Sequence, residues 1–279
     1  MSSGCDGRTN LGDAVFVFVD LETTGLRARG GDRMVEIYAR RVCGEKLGRE
    51  YETLVNPGRT IPVESSRVHG ICDEDVADAP SEADAVGKLG ELLDDSVFVA
   101  HNASFDRGFI DQARGRSNLP PLSTPQLDTL QWVRRLWPEA RGGHSLGAVA
   151  KRLAIVNPAP HRARGDVGVL LDAWPRLLAA ARARWPIHTL GDLLAFVGGE
   201  AERAALVEAS AHGRAVELLY LDRRRRCRRV VAHPVEIEPG PEGSVRFRWR
   251  AGRIQFRLPL GRILRVDGRE EPGLERSSP

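Results

Sequence analysis

The sequence predicts an α/β domain built around a mixed sheet, followed by a small all-β module. Three observations predict it: an apolar strand pattern close to the start, strand and helix patterns that alternate through the middle, and a succession of short strands near the end. At 279 residues the chain exceeds one average domain, and two domains are the expected division. We expect a flexible N-terminus at 1–11, the α/β domain at 12–185, a helical connector at 186–210, the β module at 211–270 and a loose tail at 271–279.

Residues 14–20 (AVFVFVD) are apolar, β-branched and aromatic almost throughout, as in a strand buried on both faces, and the run ends on a carboxylate. Residues 34–42 and 51–55 read as further strands, and Asn-Pro-Gly at 56–58 is a turn that closes the meander. Three successive strands without helices between them imply antiparallel pairing. From there the pattern alternates. Residues 82–93 have helical spacing, 97–100 form a short buried strand, and 104–113 form a helix that Asn102 is placed to cap. Residues 127–137 read as a short strand running into a helix stopped by Pro138. Residues 145–153 and 166–184 are further helices, the second ending before Pro186. Residues 187–210 look helical but have weak composition. Beyond them, short alternating runs at 215–221, 230–237, 245–249, 254–258 and 263–266 have the pattern of a small barrel.

With 42% apolar and 28% charged residues the chain can build a core, and no apolar run reaches the roughly eighteen residues a bilayer span requires. The first ten residues are small and polar, unlike a secretory signal, so a cytoplasmic protein without membrane attachment is expected. Four widely spread cysteines, Cys5, Cys43, Cys72 and Cys227, argue against a disulfide framework or a zinc site and read as reduced and mostly structural. The formal net charge of +3 hides an asymmetry. Residues 212–270 carry 15 Arg against 7 Asp plus Glu, a surplus of +8, which leaves −5 for the rest.

Asp20 and Glu22 stand two apart at the end of the first strand, where a period of two points both side chains to one place. Alone, an Asp-x-Glu at a strand end is as readily a solvated turn. Asp106, in HNASFDRGFI (101–110), falls near a helix start, where a carboxylate also simply favours the positive helix end. His161 and Asp166, in HRARGD, place an imidazole on a loop and a carboxylate at a helix opening, a pair that by itself fits an ordinary surface. Order and context together carry more. With D-L-E-T-T-G-L at 20–26, V-H-G-I at 68–71 and G-H-S-L at 143–146, the first 185 or so residues resemble the DEDDh exonucleases, the family of the epsilon subunit of bacterial DNA polymerase III.

That resemblance implies an RNase H-like fold and hydrolysis of DNA or RNA from the 3′ end, single strands favoured, to nucleoside 5′-monophosphates. It implies two Mg²⁺ or Mn²⁺ ions, which hard oxygen ligands suit and which together activate a water and stabilise a leaving oxygen. Asp20, Glu22 and Asp166 would hold one ion, and Asp20 with Asp106 the second. His161 would be the general base, since imidazoles ordinarily titrate near neutrality and a loop can close on a bound substrate. Further family positions fall on Thr23, Glu64, His69, Asn102 and Phe105, which would grip and stack the terminal nucleotide. For His69, a purely structural role is an equal alternative. The competing reading of the whole is a catalytically weak, nucleic-acid-binding regulatory protein, against which five intact motif positions weigh.

Residues 215–266 resemble the WYL domain, a small Sm-like or SH3-like barrel of bacterial regulators and of proteins tied to nucleic-acid defence and repair. The residues that carry this are GRAVELLY at 213–220, Arg229 to Pro234, and FRLPLGRI at 256–263. The name-giving tripeptide has only a loose equivalent around Phe247 to Trp249. Arg223, Arg224, Arg225, Arg226, Arg228 and Arg229 lie between two expected strands and would form a basic hairpin. It is either a solvated turn or a surface that tracks phosphates of a single strand or holds a nucleotide-like ligand.

Overall fold

The computed structural model describes residues 6–222, 227–238, 244–249 and 254–268. The chain divides into two compact units. Residues up to Val133 with Arg141–Leu193 make the first, and Arg134–Ala140 with the residues from Leu194 onward make the second. Among the described residues, no helix is long and apolar enough to cross a membrane.

The first unit opens with β1 (Val15–Thr23), β2 (Met34–Cys43) and β3 (Lys46–Leu54), an antiparallel meander as expected. β1 runs three residues beyond the apolar pattern, so Glu22 lies in the strand itself. β3 starts five residues before its pattern because it is the sheet edge, largely exposed, where polar residues are tolerated. Two short helices follow, α1 (Val63–His69) and α2 (Asp73–Val76). Neither is long enough to show a period, and the small cluster of Val35, Ile61, Ile71 and Val76 holds this region together. Then come α3 (Glu82–Leu93), β4 (Val97–Ala100), α4 (Ala103–Arg116), β5 (Gln126–Asp128), α5 (Thr129–Leu136), α6 (Leu146–Arg152) and α7 (Ala163–Arg182).

The sheet order is β3-β2-β1-β4-β5, with β4 parallel to β1 and β5 parallel to β4, a mixed sheet with β1 at its centre. Alternation along β1 assigns its two faces. Val17, Val19 and Leu21 pack with Leu89 and Leu93 of α3 and with Phe109 and Ile110 of α4. Phe16 and Phe18 meet Trp174 of α7, with ring centroids 4.7 and 5.0 Å apart, and Trp132 closes on the same ring at 5.1 Å. The face that carries Phe16 and Phe18 continues to Asp20 and Glu22, so the packing that seats α7 also aligns the carboxylates.

α8 (Leu190–Gly198) and α9 (Glu200–Ala211) occupy the expected connector, which is not a loose link. Leu190 and Leu193 are fully buried, and Leu206 and Ala209 of α9 join the core of the second unit. Residues 7–11, expected to be flexible, are tied to the segment before and at the start of α8. Leu11 N–H donates to His188 O at 3.2 Å, Leu190 N–H to Thr9 O at 2.9 Å, and Gly191 N–H to Gly7 O at 2.8 Å. Sequence alone offers no sign of these pairings, because polar, small residues carry backbone bonds as well as apolar ones do.

The second unit holds β6 (Val216–Leu221), β7 (Cys227–Ile237), β8 (Ser244–Trp249), β9 (Ile254–Pro259) and β10 (Ile263–Gly268). All pair antiparallel in the order β10-β6-β7-β8-β9, around Leu218, Val245, Phe247 and Ile263. Among the described residues no ladder joins β10 to β9, so what the pairings define is an all-antiparallel sheet. Arg223 to Arg226 lie outside the described residues. Arg228 is paired with Asp222 at 3.3 Å and Arg229 with Glu139 at 2.9 Å, so both expected phosphate contacts already have a carboxylate neighbour. Cys43 and Cys72 are free thiols on the surface and serve no core.

Candidate active site

Asp20, Glu22 and Asp166 each offer a carboxylate oxygen, and the three oxygens lie within 4.8 Å of one another. Asp20 and Glu22 come from the end of β1, whose pairing with β2 sets Asp20 opposite Tyr38 and Glu22 opposite Glu36. Asp166 comes from the first turn of α7. Asp106, in the first turn of α4, is buried at 3% exposure beside the Leu21 amide. It lies outside the three-oxygen cluster but close enough to press on Asp20 electrostatically.

The electrostatics are those of crowded anions. Burial first, then Asp106, Asp166, Glu22 and Glu36, push the Asp20 carboxyl well above its ordinary range. Burial, Asp166 and Glu36 push Glu22 up to about 8, with Arg162 pulling the other way. Asp106 is raised by burial and by Asp128, and lowered by its own amide and that of Leu21. Asp166 is raised by burial and lowered by Asn157 and His161. Carboxylates this close cannot all ionise without a compensating cation. The donor set is all hard oxygen, and the missing charge is positive, so the residues present fit divalent ions such as Mg²⁺ or Mn²⁺.

His161 sits exposed on the loop before α7 with φ 59°, and Asn102 precedes α4 with φ 74°. Both are left-handed, a conformation that non-glycine residues adopt sparingly and that concentrates at functional loops. Asn102 does not cap α4 through its side chain as expected. Capping needs an extended backbone at that position, and here the backbone is left-handed. Its N–H instead donates to Asp128 Oδ1 at 2.9 Å, which also accepts Leu130 N–H at 2.8 Å.

Thr23 is buried, and its hydroxyl donates to Gly25 O at 2.7 Å. His69 is buried at 4% exposure and accepts Ile71 N–H on Nδ1 at 3.1 Å, while its Nε2 is buried and its ring lies against the Thr23 backbone. Phe105 is half-buried against Phe109 at 5.0 Å, leaving part of its ring accessible. Glu64 is exposed on α1. Ser65, its neighbour, ties α1 to the first motif through a 2.9 Å bond to Thr24 O.

Sequence reasoning missed Glu36, Arg162 and Asn157. Glu36 is 2% exposed, and Arg162 grips it through Nε at 3.1 Å to both oxygens and through Nη2 at 2.6 Å. Asn157 Nδ2 donates to Asp166 Oδ1 at 2.6 Å. A signal for Glu36 was present, since it is a lone carboxylate inside the apolar run MVEIYA. Nothing local marks Asn157.

A five-stranded mixed sheet thus gathers acidic residues at the end of its central strand. The chain belongs to the exonuclease family, whose pattern it matches over residues 17–173. A DNA polymerase III subunit epsilon-like protein of Rhodobacter capsulatus is 38% identical over 213 residues, 74% of this chain and 28% of that protein. The PolC-type DNA polymerase III of Streptococcus sanguinis is 36% identical over 168 residues, 60% of this chain and 11% of that protein. The chain thus spans under a third of the length of either relative. Among solved structures, E. coli Exonuclease I in complex with a dT13 oligonucleotide is similar over 84% of this chain and 54% of that one, with TM-score 0.65 and 17% identity. The nuclease domain of 3′hExo, a DEDDh family member bound to rAMP, is similar over 59% of this chain and 92% of that one, with TM-score 0.52 and 14% identity. At such identities these two likenesses speak for the fold.

Proposed function

We propose that the chain is a divalent-metal-dependent exonuclease that hydrolyses DNA or RNA from the 3′ end, single strands favoured, and releases nucleoside 5′-monophosphates. The observation that carries this is the convergence of Asp20, Glu22 and Asp166 on one point of an exonuclease-family fold. Asp20, Glu22 and Asp166 would hold one Mg²⁺ or Mn²⁺ ion, and Asp20 with Asp106 a second. When bound, such a pair supplies a water of lowered pKa and charge for the leaving oxygen. The chain's own residues do the rest. His161, exposed on its loop, takes the proton of the attacking water. Thr23, His69, Asn102 and Phe105, together with Glu64, hold the terminal nucleotide.

The test uses 5′-labelled single-stranded DNA and RNA with Mg²⁺ or Mn²⁺. A ladder of shortened products, nucleoside 5′-monophosphate release and loss of both in Asp166→Ala are expected. Tight binding without cleavage by the unsubstituted chain overturns the reading in favour of a nucleic-acid-binding regulator.

For the second unit we infer a WYL-like module of the Sm or SH3 barrel type that recruits substrate or holds a nucleotide-like ligand. Its support is the pairing of the last strand, β10, with the first, β6, in an antiparallel sheet that carries the Arg-rich part of the chain.

A further inference from the structure

α7 opens between two pins. On one side Glu36, from β2, accepts three hydrogen bonds from the Arg162 guanidinium and one from the Ala163 N–H at 2.9 Å. On the other, Asn157 folds its loop back on the helix: its Oδ1 accepts Ala159 N–H at 3.0 Å while its Nδ2 holds Asp166 at 2.6 Å. Pro160 and His161 lie on the chain between the two pins. Gly165 makes the close approach possible, because a Cβ there would collide with the Ala159 carbonyl oxygen.

We propose that Glu36 and Asn157 are positioning residues of the exonuclease site: together they fix the segment 157–163, so that His161 and the Asp166 carboxylate are presented in one pose. The inference rests on the exonuclease reading above. Glu36 sits opposite Glu22 in the strand register and would otherwise be a further metal-facing carboxylate. Its oxygens are instead occupied by Arg162 and Ala163, and it stands outside the cluster formed by Asp20, Glu22 and Asp166. A charge-assisted bidentate pair on a buried carboxylate has strong directional preference, so it locks Arg162, and with it the left-handed backbone of His161 next to it. Asn157 donates to one oxygen of Asp166, as outer partners of metal ligands do.

The experiment uses the full chain with 5′-labelled single-stranded DNA, steady-state kinetics and calorimetric Mn²⁺ titration. Circular dichroism confirms that each variant is folded. Glu36→Gln, which keeps shape and an acceptor for Ala163, and Arg162→Met, at the half-exposed partner, are each expected to lower kcat about 10–100-fold with KM little changed. In a His161→Ala background, Glu36→Gln is expected to cost less than about twofold more, because its effect runs through the histidine. Asn157→Ala is expected to weaken Mn²⁺ binding about tenfold or more. Wild-type kcat in both Glu36→Gln and Arg162→Met, or an equal loss with and without His161, overturns the role of Glu36. Unchanged Mn²⁺ affinity in Asn157→Ala overturns the role of Asn157. A wild-type chain that binds Mn²⁺ but cleaves nothing overturns the exonuclease reading and with it the Glu36 arm, while the Mn²⁺ titration still decides Asn157.

Discussion

Glu22 illustrates what a single residue contributes before any substrate arrives. Its carboxyl is pushed up to about 8 by burial and by Asp166 and Glu36. The folded value lies above the unfolded one, so protonation of Glu22 favours the fold. That contribution is full below the ordinary carboxylate range and is lost as pH rises from there through about 8. The metal-free chain is therefore expected to melt at progressively lower temperature across that window. Divalent ions, which need the deprotonated ligands, are expected to stabilise it most at its upper end. Glu22→Gln should reverse both effects: a higher melting temperature than wild type above about pH 8 without metal, and less gain on adding Mn²⁺. Thermal melts across pH, with Mn²⁺ or a chelator, test this; a metal-free variant that melts below wild type there contradicts it. The acidic residues were legible because motif spacing survives in the linear chain. Glu36 and Asn157 were not, since their meaning lies in partners 126 and 9 residues away.

Among the elements, β1 was the most legible. Its alternation assigns Phe16, Phe18, Asp20 and Glu22 to one face, and the structure places α7 on that face through Trp174. The opening turn of α7 was less so, because a glycine in a helix reads as a weak helix former unless one knows what presses against it. Two glycines there make opposite predictions. Gly165→Ala would drive a methyl into the Ala159 carbonyl and is expected to destabilise the fold by about 1–3 kcal/mol and to weaken Mn²⁺ binding. A methyl added at Gly168 would meet nothing within 4 Å beyond its own stretch of helix, and Gly168→Ala is expected to be neutral or stabilising by up to about 1 kcal/mol. Denaturant melts of the two variants check the contrast, and equal behaviour would contradict the packing described for the loop. The short helices α1 and α2 were illegible for a different reason: seven and four residues are too few to show a period.

Across the whole chain, the division into an acidic and a basic part follows the division into two units closely, with the Arg surplus in the second. If that surplus meets phosphates, replacing Arg223 to Arg226 with alanine lowers single-strand affinity. The slope of log affinity against log salt then falls by about 0.7 for each phosphate left without its arginine. Fluorescence anisotropy over a salt series measures it, and an unchanged slope rejects the phosphate-tracking surface. Local patterning was enough to read the mixed sheet, the order of its strands along the chain, the acidic motifs and the change to short strands near the end. These depend on hydrophobic periodicity and on residues close in sequence. Packing settled what periodicity cannot encode: that α9 belongs to the core of the second sheet, that residues 7–11 are tied to the region of α8, and that Glu36 is held by Arg162 beside the carboxylates. Each of those depends on segments that meet only once the helices have docked, and the chemistry of the site is decided by which buried charges find a partner there.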